Sequence, residues 1–199
     1  MFMSIKSKTS NAEQKGNNPF VMQPGHVRTK ANTLSAKDDF RDIFPAMFSE
    51  NDESMYIFWR NIPIRFHYTF DCFATLGKII DVLELIVENE QGSSTMTFLT
   101  ETLSAQWNVN WSNQQIEIES NWTSREDTLS YAQTLNEAGS IVMGKEAFTA
   151  EWKLPLVQVL NAIDAGKGRN LNESIEVKVE QIGTIVQAVD SFGIKYQKA

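Results

Sequence analysis

Ala105-Gln106-Trp107-Asn108-Val109-Asn110-Trp111, followed by Ile116-Glu117-Ile118-Glu119-Ser120-Asn121-Trp122, decides the fold. In both stretches apolar and polar residues alternate with a period of two, the mark of strands with one buried and one wet face. Ser112-Asn113 supplies turn chemistry between them, so they read as an antiparallel hairpin. Upstream, Met96 and Phe98 alternate with Thr95, Thr97 and Leu99, which extends the hairpin to a meander.

Helical spacing flanks this β region. Leu76, Ile79, Ile80, Leu83, Ile86 and Val87 form one apolar stripe, predicting a helix over 72–89. Asp71 is placed to cap it and Gln91-Gly92-Ser93-Ser94 to end it. Before it, 55–60 and 64–70 read as strands, turned at Arg60-Asn61 and interrupted by Pro63. After the meander, Leu129, Ala132 and Leu135 point to a helix stopped by Gly139, and Ile141-Val142-Met143 to a short strand. Phe148 to Ile163 is again helical in spacing, with Pro155 kinking it or opening a second helix. The tail reads two ways. Ile175, Val177 and Val179 alternate like a strand, whereas Ile182, Ile185, Val186 and Val189 predict a helix over at least 181–190.

These elements make an α+β fold, an antiparallel β meander packed against several amphipathic helices. Residues 52–199 form its single domain and residues 1–51 an irregular N-terminal arm. Within the arm, Phe20-Val21-Met22 ahead of Pro24-Gly25 offers a strand-like latch. Phe40, Ile43, Phe44, Met47 and Phe48 predict a short amphipathic helix near 38–48, capped by Asp38 or Asp39, interrupted by Pro45 and docked on the core.

Composition narrows the class. Of 199 residues, 42% are hydrophobic and 11% aromatic, enough to build a packed core. All five tryptophans lie between Trp59 and Trp152, which places that core. Net charge is −7 and uneven: residues 1–40 carry +3 and residues 41–199 carry −10. So acidic a domain repels nucleic acid and anionic membranes and attracts a basic protein. No stretch approaches the ~20 apolar residues of a membrane span. Residues 1–8 lack the apolar run of a signal peptide, and Cys72 is alone. The expected location is therefore the cytoplasm.

The sequence carries few signals of chemistry. Gly166-Lys167-Gly168 follows a helix and lacks the upstream glycine of a phosphate loop, so it reads as a helix stop. Cys72 near a helix start, with His67 five residues before it, is the one candidate nucleophile, because helix N-termini lower thiol pKa. Its alternative is a small buried apolar residue beside Phe70 and Phe73. Trp107, Trp111 and Trp122 suggest a stacking platform, but an acidic domain lacks the positive groove that single strands need, and core packing accounts for them better. Glu84, Glu88, Glu117 and Glu119 are candidate partner-binding residues, an acidic docking patch; alternatively they only keep a helix and a sheet face wet. No catalytic, cofactor-binding or metal-ligating residue is expected.

The order of signals resembles bacterial immunity proteins, the antidotes of polymorphic or contact-dependent toxins. It runs from Phe58-Trp59-Arg60-Asn61-Ile62-Pro63-Ile64 through the helix 72–89 and the Trp-rich hairpin to Phe148-Thr149-Ala150-Glu151-Trp152-Lys153. The likeness covers residues 55–165 and carries over no site residue. It implies a protein that neutralises a cognate toxin by direct binding, with a basic toxin domain as partner and no cofactor. The alternatives are a secretion-system adaptor or chaperone and, less favoured, an enzyme with an unfamiliar site.

Overall fold

A computed structural model describes residues 18–49, 54–99, 103–124, 129–166 and 171–192. Arg60 and Asn61 take φ of 46° and 69°, the paired left-handed conformation of a tight hairpin turn. They join β2 (Met55–Trp59) to β3 (Ile62–Phe66). On the other side of β2 lies β1 (Phe20–Gln23), giving a three-stranded antiparallel sheet of order β1-β2-β3. The expected latch is thus a full strand. Phe20 and Met22 are buried, so this part of the arm belongs to the same core as the domain. The expected boundary at 51/52 lies outside the described residues.

Pro63 does not interrupt β3. It pairs with Phe58, and the alternation of ladder bonds from Arg60 N–H to the Pro19 carbonyl turns position 63 to the free edge, where proline's missing N–H costs nothing. The expected strand 64–70 stops at Phe66, and Tyr68–Cys72 form a π-helical turn that runs into α2 (Phe73–Glu88). Asp71 does not cap α2 in the usual sense. Its Oδ2 reaches back to the His67 main-chain N–H at 2.6 Å. The predicted stripe of α2 is buried from Leu76 to Ile86.

Gln91-Gly92-Ser93-Ser94 does not merely end the helix, because it opens β4 (Gln91–Leu99). With β5 (Leu103–Ser112), β6 (Gln115–Ser124) and β7 (Ile141–Gly144) it forms a four-stranded antiparallel sheet of order β4-β5-β6-β7. Gly92 is accepted within a strand because the Trp111 ring occupies the place of its side chain; a Cβ would lie 2.4 Å from that ring. Asn113, with φ of 54°, turns β5 into β6 as expected.

α3 (Leu129–Ala138) ends at Gly139, with φ of 76°. Ala132 and Leu135 are buried as expected, while the Leu129 side chain is outside the described set. α4 (Lys145–Gly166) passes through Pro155 as one helix rather than two. It ends at Gly166, with Lys167 and Gly168 outside the described residues. The strand reading of 175–179 is overturned: α5 (Glu173–Ser191) starts there, with the Asn172 side chain accepting the Ser174 N–H at 2.9 Å. Here helical burial of Ile175, Ile182, Ile185 and Val189 outweighs the β propensity of Val177 and Val179. In the arm, α1 spans only Ile43–Met47; Pro45 sits in its first turn, where no N–H is needed.

The inner faces of the two sheets meet through aromatic rings. Phe98 stacks on Trp107 at 4.8 Å, Trp59 lies 5.3 Å from Trp107 and 5.6 Å from Trp122, and Phe66 lies 5.2 Å from Phe98. Each such pair contributes about 0.5–1.5 kcal/mol beyond its area burial. Phe20 then carries the cluster to Phe148 and Trp152 on α4. α2, α4 and α5 pack on one another.

Candidate functional site: the outer face and open edge of the four-stranded sheet

Strand alternation sends half of each strand outward. In β4 to β6 the outward residues include Ser93, Thr95, Thr97, Gln106, Asn108, Asn110, Gln115, Glu117, Glu119 and Asn121, all exposed. Hydrogen bonds cross this face, from Thr95 Oγ1 to Asn108 Oδ1 at 3.2 Å and from Gln106 Nε2 to the same oxygen at 3.4 Å. The outward side chains of the four strands carry two charges, Glu117 and Glu119. Cross-strand pairing places them beside Asn110 and Asn108.

The four candidate glutamates do not share one surface. Glu84 turns toward α5, where its Oε2 accepts from Gln181 Nε2 at 2.6 Å. One turn away, Lys178 of α5 pairs with Asp81 and donates to the Gly77 carbonyl. Glu84 therefore serves the α2–α5 seam, Glu88 is exposed on the last turn of α2, and Glu117 and Glu119 project from the sheet. Trp107, Trp111 and Trp122 face inward and are at most 5% exposed, so they offer no stacking platform.

Side chains plug several strand edges. Glu151 Oε2 accepts the Met22 N–H on β1, the Tyr131 hydroxyl donates to the Pro63 carbonyl on β3, and Thr75 Oγ1 holds both the N–H and C=O of Leu99 on β4. Beyond the short β7, the Asn136 amide clasps the N–H and C=O of Trp122 on β6. Just ahead of β7, Arg60 donates Nε and a terminal nitrogen to the Ser140 carbonyl at 3.0 and 2.6 Å. Unpaired edge groups template unwanted pairing and cost free energy when buried, and these contacts address both.

Val142 on the same edge is different. Lys145 N–H bonds the Gln114 carbonyl, so ladder alternation gives the inter-strand bonds to Met143 and Ile141 and turns the Val142 N–H and C=O away from β6. Neither group has a partner among the described residues. They open on a cleft of about 420 Å³ lined by Asn18, Pro19, Arg60, Asn61 and Val142. Across the half-exposed Val142 side chain lies a second hollow of about 180 Å³, bordered by Asn110, Ser112, Gln115 and Glu117.

Two further polar features bear on chemistry. Cys72 is fully buried, and burial first, then the nearby Asp71 carboxylate, push its thiol well above the usual range. The helix-start argument for a reactive thiolate is thereby overturned, because desolvation dominates. Ser54 Oγ lies 3.2 Å from His67 Nδ1 and accepts from Arg65 Nε at 2.8 Å. Ser54 and His67 face each other because the Arg60-Asn61 turn fixes the register Met55↔Phe66. That register was available in the sequence and makes the contact a clasp closing the open end of the hairpin. Among the described residues, no three of His, Cys, Asp and Glu gather as a metal site, and no helix is long and apolar enough to cross a membrane.

Compared with models of protein families, with curated proteins and with solved structures, the chain matches none.

Proposed function

We propose that this chain is a protein-binding antidote that neutralises a basic toxin domain by direct contact, without catalysis of its own. Its working surface is the outer face of β4–β7. The observation that carries the reading is the make-up of that face. It is a broad, exposed sheet of mainly neutral hydrogen-bonding side chains, with the apolar Leu99 and Val142 at its edges, whose two charges, Glu117 and Glu119, are both negative. Neutral amides and hydroxyls adapt to a partner's hydrogen bonds at low desolvation cost. Like-signed carboxylates, on a segment carrying −10 overall, steer a basic partner in. The resemblance of residues 55–165 to immunity proteins points the same way.

The test is affinity capture from the native host's lysate with a high-salt wash, followed by expression of the captured protein alone and together with this chain. One stoichiometric partner that kills cells alone and is harmless in co-expression supports the reading. Absence of a stoichiometric partner, or a partner without toxicity, overturns it. A second reading, an adaptor or chaperone for extended segments, is favoured by the Val142 N–H and C=O, which have no partner among the described residues; several substoichiometric partners are its signature.

A further inference from the structure

We infer that the β7 edge at Val142 binds an extended, basic peptide segment by strand addition, with a lysine or arginine opposite Val142. The inference rests on the protein-binding reading and names what the partner presents.

The main-chain half of the recognition is geometric. A strand entering the 420 Å³ cleft meets an N–H and a C=O on one residue that no other described residue pairs, which is what one residue of an antiparallel partner satisfies. The neighbouring edge carbonyl, at Ser140, is already occupied by Arg60, so the pairing is centred on Val142. Pro19, Arg60 and Asn61 wall the cleft. A slim single strand passes between them, whereas the β7 of a second folded copy arrives carrying the same walls.

The side-chain half is electrostatic. The residue opposite Val142 projects on the same sheet face as Val142 and Glu117, which are direct cross-strand partners. Two strand spacings, roughly 9–10 Å, separate that residue from Glu117. A lysine or arginine stem laid over the Val142 methyl groups spans this distance and delivers its cation to the 180 Å³ hollow. There the Glu117 carboxylate and the amide oxygens of Asn110 and Gln115 are acceptors. A short or acidic side chain reaches nothing.

The test is an amide NMR titration of the full chain with a blocked peptide, Thr-Val-Thr-Lys-Thr-Val-Thr. Three controls accompany it: norleucine for the lysine, an N-methyl group on the lysine amide, and Glu117→Gln protein. The expected result is a shift and slowed hydrogen exchange at the Val142 N–H, abolished by N-methylation. The norleucine peptide and Glu117→Gln each weaken binding by roughly tenfold. Val142→Pro removes the outward N–H without touching the ladder to β6 and abolishes binding; should it fail to fold, the N-methyl peptide makes the same point on wild-type protein. A silent Val142 overturns the inference, as does equal binding of the norleucine peptide. Protection of Val142 that rises with protein concentration alone also overturns it, assigning the edge to a second copy. A captured toxin that binds Val142→Pro and wild-type protein equally removes the edge while leaving the antidote function standing. Absence of a toxin removes that function whatever the peptide does.

Discussion

The carboxylate of Glu151 on α4 accepts the main-chain N–H of Met22 on β1 at 2.8 Å, across 129 positions of chain. Its other oxygen accepts from the Asn18 side chain at 3.1 Å. One side chain thus closes the edge of the three-stranded sheet and fixes residues 18–23 to the helical layer. Glu151→Ala leaves the Met22 N–H without an acceptor and costs about 1–3 kcal/mol, read as a lowered urea midpoint. Glu151→Gln retains one acceptor oxygen and costs less. Equal stability of Glu151→Ala and wild type would show that the edge needs no plug.

The same carboxyl gives a pH signature. Burial raises the Glu151 pKa above the ordinary 4.5, against the lowering effect of its hydrogen bonds. The folded chain therefore holds this proton to higher pH than the unfolded chain, and between the two values the native state binds more protons. The contribution of this group to stability is full below the unfolded value and declines as pH rises through the raised one. Glu151→Gln has no such titration. The stability of wild type relative to Glu151→Gln should decline as pH rises from below 4.5 toward neutrality, in paired urea titrations. A rise over that range contradicts the sign.

Gly92→Ala tests the Trp111 seat. The new Cβ lies 2.4 Å from Cζ2 and 2.8 Å from Cε2 of the ring, so the indole must move and its hydrogen bond to the Asn89 carbonyl is lost. Overpacking of this kind costs about 1–3 kcal/mol. Thermal unfolding and a red-shifted tryptophan emission measure it; an unchanged spectrum means the ring does not fill the glycine's place.

Cys72 should resist thiol reagents in the native state and react only after denaturation, because burial keeps the thiol protonated and out of reach. Fast native labelling would reopen a nucleophilic role for it.

Reversing Glu117 and Glu119 to lysine should slow association with a basic partner and flatten its dependence on salt. Both positions are exposed, so unfolding free energy should change by no more than about 0.5 kcal/mol. Stopped-flow association across salt concentrations decides it. Unchanged kinetics with an intact fold remove these residues from the interface.

Periodicity made the meander, the stripe of α2 and the Arg60-Asn61 turn legible in the sequence, because each is a local pattern. Pro63 misled as a strand breaker and Gly92 as part of a helix stop for one shared reason: each is tolerated within a strand by what lies beside it in space. A free edge excuses Pro63, and the Trp111 ring excuses Gly92. The 175–179 alternation misled because burial against other helices, which local pattern does not show, decided between strand and helix. Of the candidate glutamates, the outward position of Glu117 and Glu119 followed from alternation, whereas the Glu84–Gln181 contact depended on how α2 meets α5. The Val142 edge left no trace in the sequence, since strand order and the Arg60 and Pro19 walls are set by residues far away in the chain.

Closing β1 with Glu151 also sets a timetable for synthesis. At ~5–20 residues per second, the 129 positions from Met22 to Glu151 leave the ribosome about 6–26 s apart. During that interval Phe20 lacks the Phe148 and Trp152 rings it packs on, and the Met22 N–H lacks the carboxylate that seals the edge. The β2–β3 hairpin and the meander can form as they emerge, but the nascent chain stays adhesive at β1 until α4 has been made. For this protein the exposed interval belongs to its birth, and an early strand waits on a late helix.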